Sequence, residues 1–319
     1  MDVALNVRRY DPEAERPESY YQEFALEVDE TTTVLDGLIK VREEVDGTLA
    51  LRCSCRSAIC GSCAMNVNGK GVLGCTTKFI DVMGPDGAVV TVEPVGNMGL
   101  IKDLIVEFDN HWDKNKAIEP WLKPSGPVPE AEYLAPEEDM LGLAGVMGCI
   151  QSGLCTSECT VLEIDENFLG PAALAKAYRF VADPRDDADV DRLGQLNRYG
   201  GIWDCTRCMK CVEVCPKDVD PMGRIMEMRE LAMIAGYTDN NGASHATAFY
   251  DIIKRNGLLN EFWLVLRTFG MFNIPEMLKL APIGINAFFR GKMPPITFDK
   301  IPEPKSVTRI FEKVEGRGK

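Results

Sequence analysis

The chain has 319 residues, of which 45% are apolar and 26% charged; this allows two or three globular domains and excludes a disordered or fibrous chain. Its 35 Lys and Arg against 49 Asp and Glu leave a net charge of −14, which repels a phosphate backbone, so nucleic acid is not an expected partner. The polar, acidic residues 1–21 lack the apolar core of a secretory signal, and the apolar run at 263–266 is cut short by Arg267, so neither a signal peptide nor a membrane-spanning helix is expected.

In chain order, residues 24–28 alternate as a strand, and Thr33 with Asp36 is placed to cap a helix running through Val45. Residues 64–67 and 72–75 flank Asn68-Gly69, the dipeptide of a tight hairpin, and residues 88–94 form the next strand. Leu100, Ile101, Leu104, Ile105 and Phe108 recur at helical spacing and predict a linking helix. Five prolines between 120 and 138 then break regular structure. Beyond them the apolar spacing is helical, as in residues 171–183 and 224–237, and strand signals are scarce. The expected organisation is a mixed domain over 1–115, a helical domain over 116–235 and an extension over 236–319. Within residues 254–319, 12 Lys and Arg face only 6 Asp and Glu. The apolar segments 262–272 and 278–289 are expected to pack as core, with docking on a partner as the alternative.

Twelve cysteines without an export signal point to a reducing compartment, where clustered thiols hold metal more often than they form disulfides. Cys55, Cys60, Cys63 and Cys75 are spaced C-x4-C-x2-C-x11-C, the arrangement by which plant-type ferredoxins hold a [2Fe–2S] cluster, with a shorter last interval. Gly61 and Ser62 keep that loop small enough to wrap inorganic sulfur. Cys53 falls outside the spacing and reads as a packed thiol. Cys149, Cys155 and Cys159 form a second set. Cys205, Cys208, Cys211 and Cys215 form C-x2-C-x2-C-x3-C-P, the bacterial ferredoxin run in which the fourth cysteine ligates the other cluster. In the first run of this pair Ser152 stands where a second cysteine is usual, and Thr160 replaces the proline. Zinc held by four cysteines is the leading rival, although zinc does not call for the run ending in Cys-Pro. His111 and His245, the only histidines, read as structural, as does Trp203. Gly69, Gly71 and Gly74, with Glu93 downstream, match a dinucleotide fingerprint, but they sit in the predicted hairpin rather than opening a helix.

Residues 54–69, 170–186 and 211–221, in this order and at these separations, resemble the iron–sulfur subunit of succinate dehydrogenases and fumarate reductases, over roughly residues 20–235. The tail beyond 235 looks somewhat like helical ferredoxin subunits of heterodisulfide reductases. The resemblance implies an α+β chain: an N-terminal β-grasp, plant-type ferredoxin-like domain, then an α-helical bacterial-ferredoxin-like domain with a C-terminal extension. It implies a [2Fe–2S] cluster on Cys55, Cys60, Cys63 and Cys75. It places Cys149, Ser152, Cys155 and Cys215 on the [4Fe–4S] ligands, and Cys159, Cys205 and Cys211 on a third cluster, [3Fe–4S] in the family. Cys208 has no family counterpart, and as a fourth ligand it would make the third cluster [4Fe–4S]. Electrons are then expected to pass between an FAD-containing flavoprotein partner and a quinone, with membrane-anchor subunits holding the chain peripherally at the cytoplasmic face. Dicarboxylate chemistry requires hydride and proton transfer, which flavin supports, so it is expected in the partner. Thr160 and Thr206 stand where the family lines its quinone pocket. The alternatives are a relay subunit of a thiol-fumarate or heterodisulfide reductase-like complex, and a free ferredoxin-like carrier.

Overall fold

Period-two alternation organises the first element of the computed structural model, which describes residues 1–84, 89–270, 272–297 and 301–316. Val3, Leu5 and Val7 of β1 (Asp2–Arg9) face the core and are almost wholly buried. No strand is expected there from the sequence reading above, although DVALNVRR carries the alternation that marks one. β2 (Tyr20–Glu27) pairs antiparallel with β1, with Leu5 opposite Phe24. α1 (Val34–Lys40) opens with the predicted capping box: Thr33 Oγ1 accepts the Asp36 N–H at 3.1 Å, and the Asp36 carboxylate accepts the Thr33 N–H at 3.2 Å. The helix does reach Val45, but its last turn, Val41–Val45, widens to π pitch.

β3 (Ala64–Val67) and β4 (Lys70–Leu73) form the predicted hairpin. Asn68 and Gly69 turn it with φ of 50° and 78°, the left-handed pair that a two-residue hairpin requires. The short α2 (Phe79–Val82) leads to β5 (Val90–Glu93), which lies parallel to β1 and antiparallel to β3. The sheet order is therefore β2-β1-β5-β3-β4. Leu35 and Leu38 of α1 share one buried core with Leu5 and Val92 of the sheet. Ala88, the first residue of the predicted strand 88–94, lies outside the described residues.

The predicted linking helix over 100–108 is corrected by the structure. Leu100–Lys102 and Ile105–Val106 are strands β6 and β7 of a tight hairpin, and helix begins only at α3 (Asp109–Ala117). The cause is Asp103, which turns the chain with φ of 46°. Its buried carboxylate accepts from Arg9 Nε at 3.0 Å, the Tyr10 N–H at 3.0 Å and the Ala50 N–H at 2.8 Å. These long-range partners outweigh the local helical spacing.

Residues 118–136 form no regular element. The stretch is held instead by Arg192, which donates to the carbonyls of Ile118, Glu119 and Trp121 and pairs with Asp186 at 2.9 Å. Then follow α4 (Glu137–Met147), α5 (Leu154–Ser157), α6 (Gly170–Val181), α7 (Asp189–Leu196), α8 (Lys210–Glu213) and α9 (Pro221–Ile234). Among the described residues no strand follows Val106. The expected order, a β-grasp sheet and then a helical region, is the order of the fold. α6 is the central support of the helical part, with Ala172, Ala173, Leu174 and Ala175 all buried. Its alanines let neighbouring backbone approach closely.

Contacts divide the chain into two units, Met1–Leu231 and Ala232–Lys319. The second contains α10 (Asn241–Asn256), α11 (Glu261–Phe269), α12 (Ile274–Phe289) and α13 (Pro304–Glu315). Asn240 and Asn260 cap α10 and α11, accepting the N–H groups of Ala243 and Trp263. A small core joins Ala248, Ile252 and Leu264. Core packing therefore holds for Leu264 in segment 262–272 but fails for segment 278–289, because α12 has no buried residue. No helix among the described residues is long and apolar enough to cross a membrane.

Candidate functional site: three cysteine centres

The first centre takes Cys55, Cys60 and Cys63 from the loop before β3, and Cys75 from just after β4. Arg56, Ala58 and Gly61 all have positive φ, a coiled backbone that turns successive N–H groups inward and makes an anion-binding concavity. The groups converge on sulfur. Cys55 Sγ accepts the N–H groups of Ser57, Ile59 and Cys60 at 3.3–3.4 Å, and Cys75 Sγ accepts that of Ala58 at 3.4 Å. Such N–H···S bonds are the surroundings that cluster-bound sulfur requires. The Ser62 hydroxyl, helped by backbone N–H groups, brings the Cys60 thiol down to about 6, while burial pushes Cys63 up to about 12. Cys53 is half-buried and packs against the sheet core, as expected of a structural thiol.

The second centre gathers Cys149, Ser152, Cys155 and Cys215 around one cavity, closed by Pro216 and Val219. Burial raises the Cys155 thiol well above its usual range, and the charges of Cys149, Cys211 and Cys215 add to the rise. Gln151 Nε2 donates to Cys149 Sγ at 3.4 Å, and the Val219 N–H donates to Cys215 Sγ at 3.4 Å. Ser152 is buried, and its hydroxyl accepts the Leu154 N–H at 3.5 Å. Again the backbone is coiled, with Gln151 and Gly153 at positive φ.

The third centre brings Cys159, Cys205, Cys208 and Cys211 within range of one another's charge. Burial pushes Cys211 up to about 12 and also raises Cys159. Cys208 goes the other way: burial raises it, but the Lys210 N–H and the hydroxyls of Thr160 and Thr206 outweigh that effect. Thr160 Oγ1 lies 3.7 Å from Cys208 Sγ. Among the described residues no three metal-binding side chains converge closely enough to hold one ion. The donor set fits multi-iron sulfide clusters for another reason: thiols grouped in threes and fours lie beside inward-pointing N–H groups, the environment such clusters require.

Two family models match this chain, a 2Fe-2S iron-sulfur cluster binding domain over residues 4–113 and a 4Fe-4S dicluster domain over 145–219. The fumarate reductase iron-sulfur subunit of Mycobacterium tuberculosis is 37% identical over 230 residues, covering 71% of this chain and 91% of that protein. The chain belongs to the family of iron–sulfur subunits of fumarate reductases and succinate dehydrogenases. The mitochondrial succinate dehydrogenase [ubiquinone] iron-sulfur subunit of Dictyostelium discoideum is 36% identical over 238 residues, covering 72% of this chain and 82% of its own length. A chain of the Mycobacterium smegmatis Sdh1 complex superposes with a TM-score of 0.68 at 27% identity, over 74% of this chain and 97% of that one. Like other iron–sulfur subunits of the family, this chain is an electron-transfer component of an oxidoreductase, with a [2Fe–2S] domain followed by a helical [4Fe–4S] region.

Within this family member, two positioning groups carry no sequence signal. Asn97, at φ of 55°, donates from Nδ2 to the carbonyls of Thr156, Ser157 and Cys159 at 2.9–3.0 Å. It thereby fixes the turn that carries Cys155 and Cys159 from the side of the sheet. No local pattern marks an asparagine for such a role. His111 is buried, as a structural histidine should be, but it also links Gln151 Oε1 at 3.1 Å to Thr156 Oγ1 at 3.2 Å. Burial lowers its pKa and keeps it neutral. Trp203 is half-buried, donates to Asn197 Oδ1 at 2.6 Å and stacks beneath Arg229, a structural role.

Proposed function

We propose that the chain holds a [2Fe–2S] cluster on Cys55, Cys60, Cys63 and Cys75, a [4Fe–4S] cluster on Cys149, Ser152, Cys155 and Cys215, and a third cluster on Cys159, Cys205, Cys208 and Cys211. The third cluster is then [4Fe–4S] in this chain. These clusters supply one-electron carriers at potentials that ligand identity, burial and N–H···S bonds set. The chain's own contribution is positional. The loops coil their N–H groups onto sulfur, Asn97 clamps the ligand turn, and α6 walls the second centre against water. Residues 1–115 act as the [2Fe–2S] domain and 116–235 as the domain of the other two clusters, consistent with matches over 4–113 and 145–219.

The relay runs between an FAD-containing flavoprotein partner, where hydride chemistry takes place, and a membrane-anchor partner with a quinone, at the cytoplasmic face of the membrane. Membership of the family and the likeness to a chain of the Sdh1 complex support these partners. The strongly acidic balance argues against nucleic acid.

One observation carries the four-iron reading of the third centre: Cys208 stands among Cys159, Cys205 and Cys211, with the Thr160 hydroxyl and the Lys210 N–H favouring its thiolate. Low-temperature electron paramagnetic resonance tests it. The oxidised native protein is expected to lack a [3Fe–4S] signal and Cys208→Ala to create one. A native [3Fe–4S] signal unaffected by Cys208→Ala but abolished by Cys159→Ala overturns the assignment.

A further inference from the structure

α12 is out of place as a helix of a water-soluble surface. Ile274, Leu278, Pro282, Ile285 and Phe289 recur at steps of four, four, three and four residues, so they form one stripe along the helix. Every one of them is exposed, with Phe289 at 82% and Leu278 at 67%. Phe288, at 68%, widens the stripe on one side. On the other side Met277, Leu280, Gly284 and Ala287 are half-buried, while Ile283 there is 67% exposed. A contiguous apolar ridge of this kind marks a binding surface rather than scattered surface residues.

Charge says what covers it. Of the 35 Lys and Arg, 12 fall in residues 254–319, against 6 of the 49 Asp and Glu. That stretch therefore carries +6 and the remaining 253 residues carry −20. Lys279 lies beside the ridge and pairs with Glu276, while Arg290 and Lys292 follow at the helix's end, both exposed. An anionic surface attracts this stretch and repels the acidic remainder of the chain. Sixteen residues make a helix of about 24 Å, short of the roughly 20 residues needed to span a bilayer. A helix with an aliphatic and aromatic ridge, a basic C-terminal end and insufficient length to cross is suited to lying in the headgroup plane.

We propose that α12 is an interfacial helix that docks the chain directly on an anionic lipid surface. Ile274, Leu278, Ile285 and Phe289 enter the boundary between headgroups and acyl chains, and Arg290 and Lys292 meet lipid phosphates. The contact is distinct from any protein anchor and does not depend on the cluster assignments above.

Cosedimentation of the cluster-loaded full chain with vesicles tests it. Binding is expected to phosphatidylcholine vesicles containing phosphatidylglycerol, to weaken in high salt, and to be weak on phosphatidylcholine alone. Leu278→Gln/Ile285→Gln/Phe289→Gln and, separately, Arg290→Glu/Lys292→Glu are each expected to weaken it about tenfold or more. All five side chains are exposed, and unchanged cluster spectra serve as the check on folding. Absence of binding to the anionic vesicles, or binding by both variants equal to that of the native chain, overturns the proposal. So does binding that appears only when a purified anchor protein is present in the vesicles. A concentration-dependent dimer that the ridge variant abolishes, with vesicle binding unaltered, assigns the ridge to a second copy and equally overturns it.

Discussion

The loop of the first centre and the paired runs of the other two solve the same problem in different ways. Cys55, Cys60, Cys63 and Cys75 come from one continuous stretch, and the sulfur-directed N–H groups come from that stretch as well. The second and third centres interleave: Cys155 and Cys159 leave opposite ends of a single short turn, and Cys211 and Cys215 do the same around α8. A local site can fail alone. An interleaved one shares its backbone, so damage to one centre reaches the other.

The largest test of that contrast is Cys155→Ala beside Cys55→Ala. Cys155→Ala is expected to remove at least about four irons per chain and to disturb the third centre's signal, whereas Cys55→Ala removes about two and leaves the others. Iron and labile-sulfide analysis with cluster spectroscopy reads the difference; loss confined to one cluster in both variants would break the comparison. Next comes Arg192→Ala, which strands buried Asp186 and releases three carbonyls of residues 118–121. Urea denaturation is expected to show a loss of about 3–5 kcal/mol, since removing one partner leaves a buried charge uncompensated.

Asn97→Ala is smaller, about 1–3 kcal/mol. Its distinguishing readout is a change in the second and third cluster signals with the [2Fe–2S] spectrum constant. Smallest is Asp46→Asn, which acts in the sheet domain alone. Thr48 first, and then Arg9, hold the Asp46 carboxyl well below the usual carboxylate range. Its folded pKa is depressed, so its contribution is present above about pH 4 and fades as pH falls below it. Asp46→Asn is expected to cost about 1 kcal/mol or less at neutral pH, given its partial exposure. In denaturation followed against pH, the difference from the native chain should vanish in acid.

The same division separates what the sequence makes legible from what it does not. Asn68-Gly69 and Thr33 with Asp36 act through bonds to their near neighbours, so the turn and the cap can be read directly. The [2Fe–2S] spacing is similarly local. The hairpin at 100–106 reads wrongly as helix because Asp103 answers to Arg9, Tyr10 and Ala50, partners that no window around it contains. Asn97 is hidden for the same reason. β1 is a different case: its alternation is local and therefore legible, although the first expected strand begins only at residue 24. The apolar composition of 278–289 suggests core, but composition alone does not reveal that α12 leaves these side chains uncovered.

Gly61 shows how narrow the gap between two of these centres is. A methyl group at this position would stand 2.9 Å from Ser152 Cα, so the two ligand loops meet backbone to backbone. Its φ of 72° disfavours any larger residue. In the proposed relay the bare hydrogen of Gly61 keeps these two loops in contact, and a larger side chain there would push the first and second clusters apart.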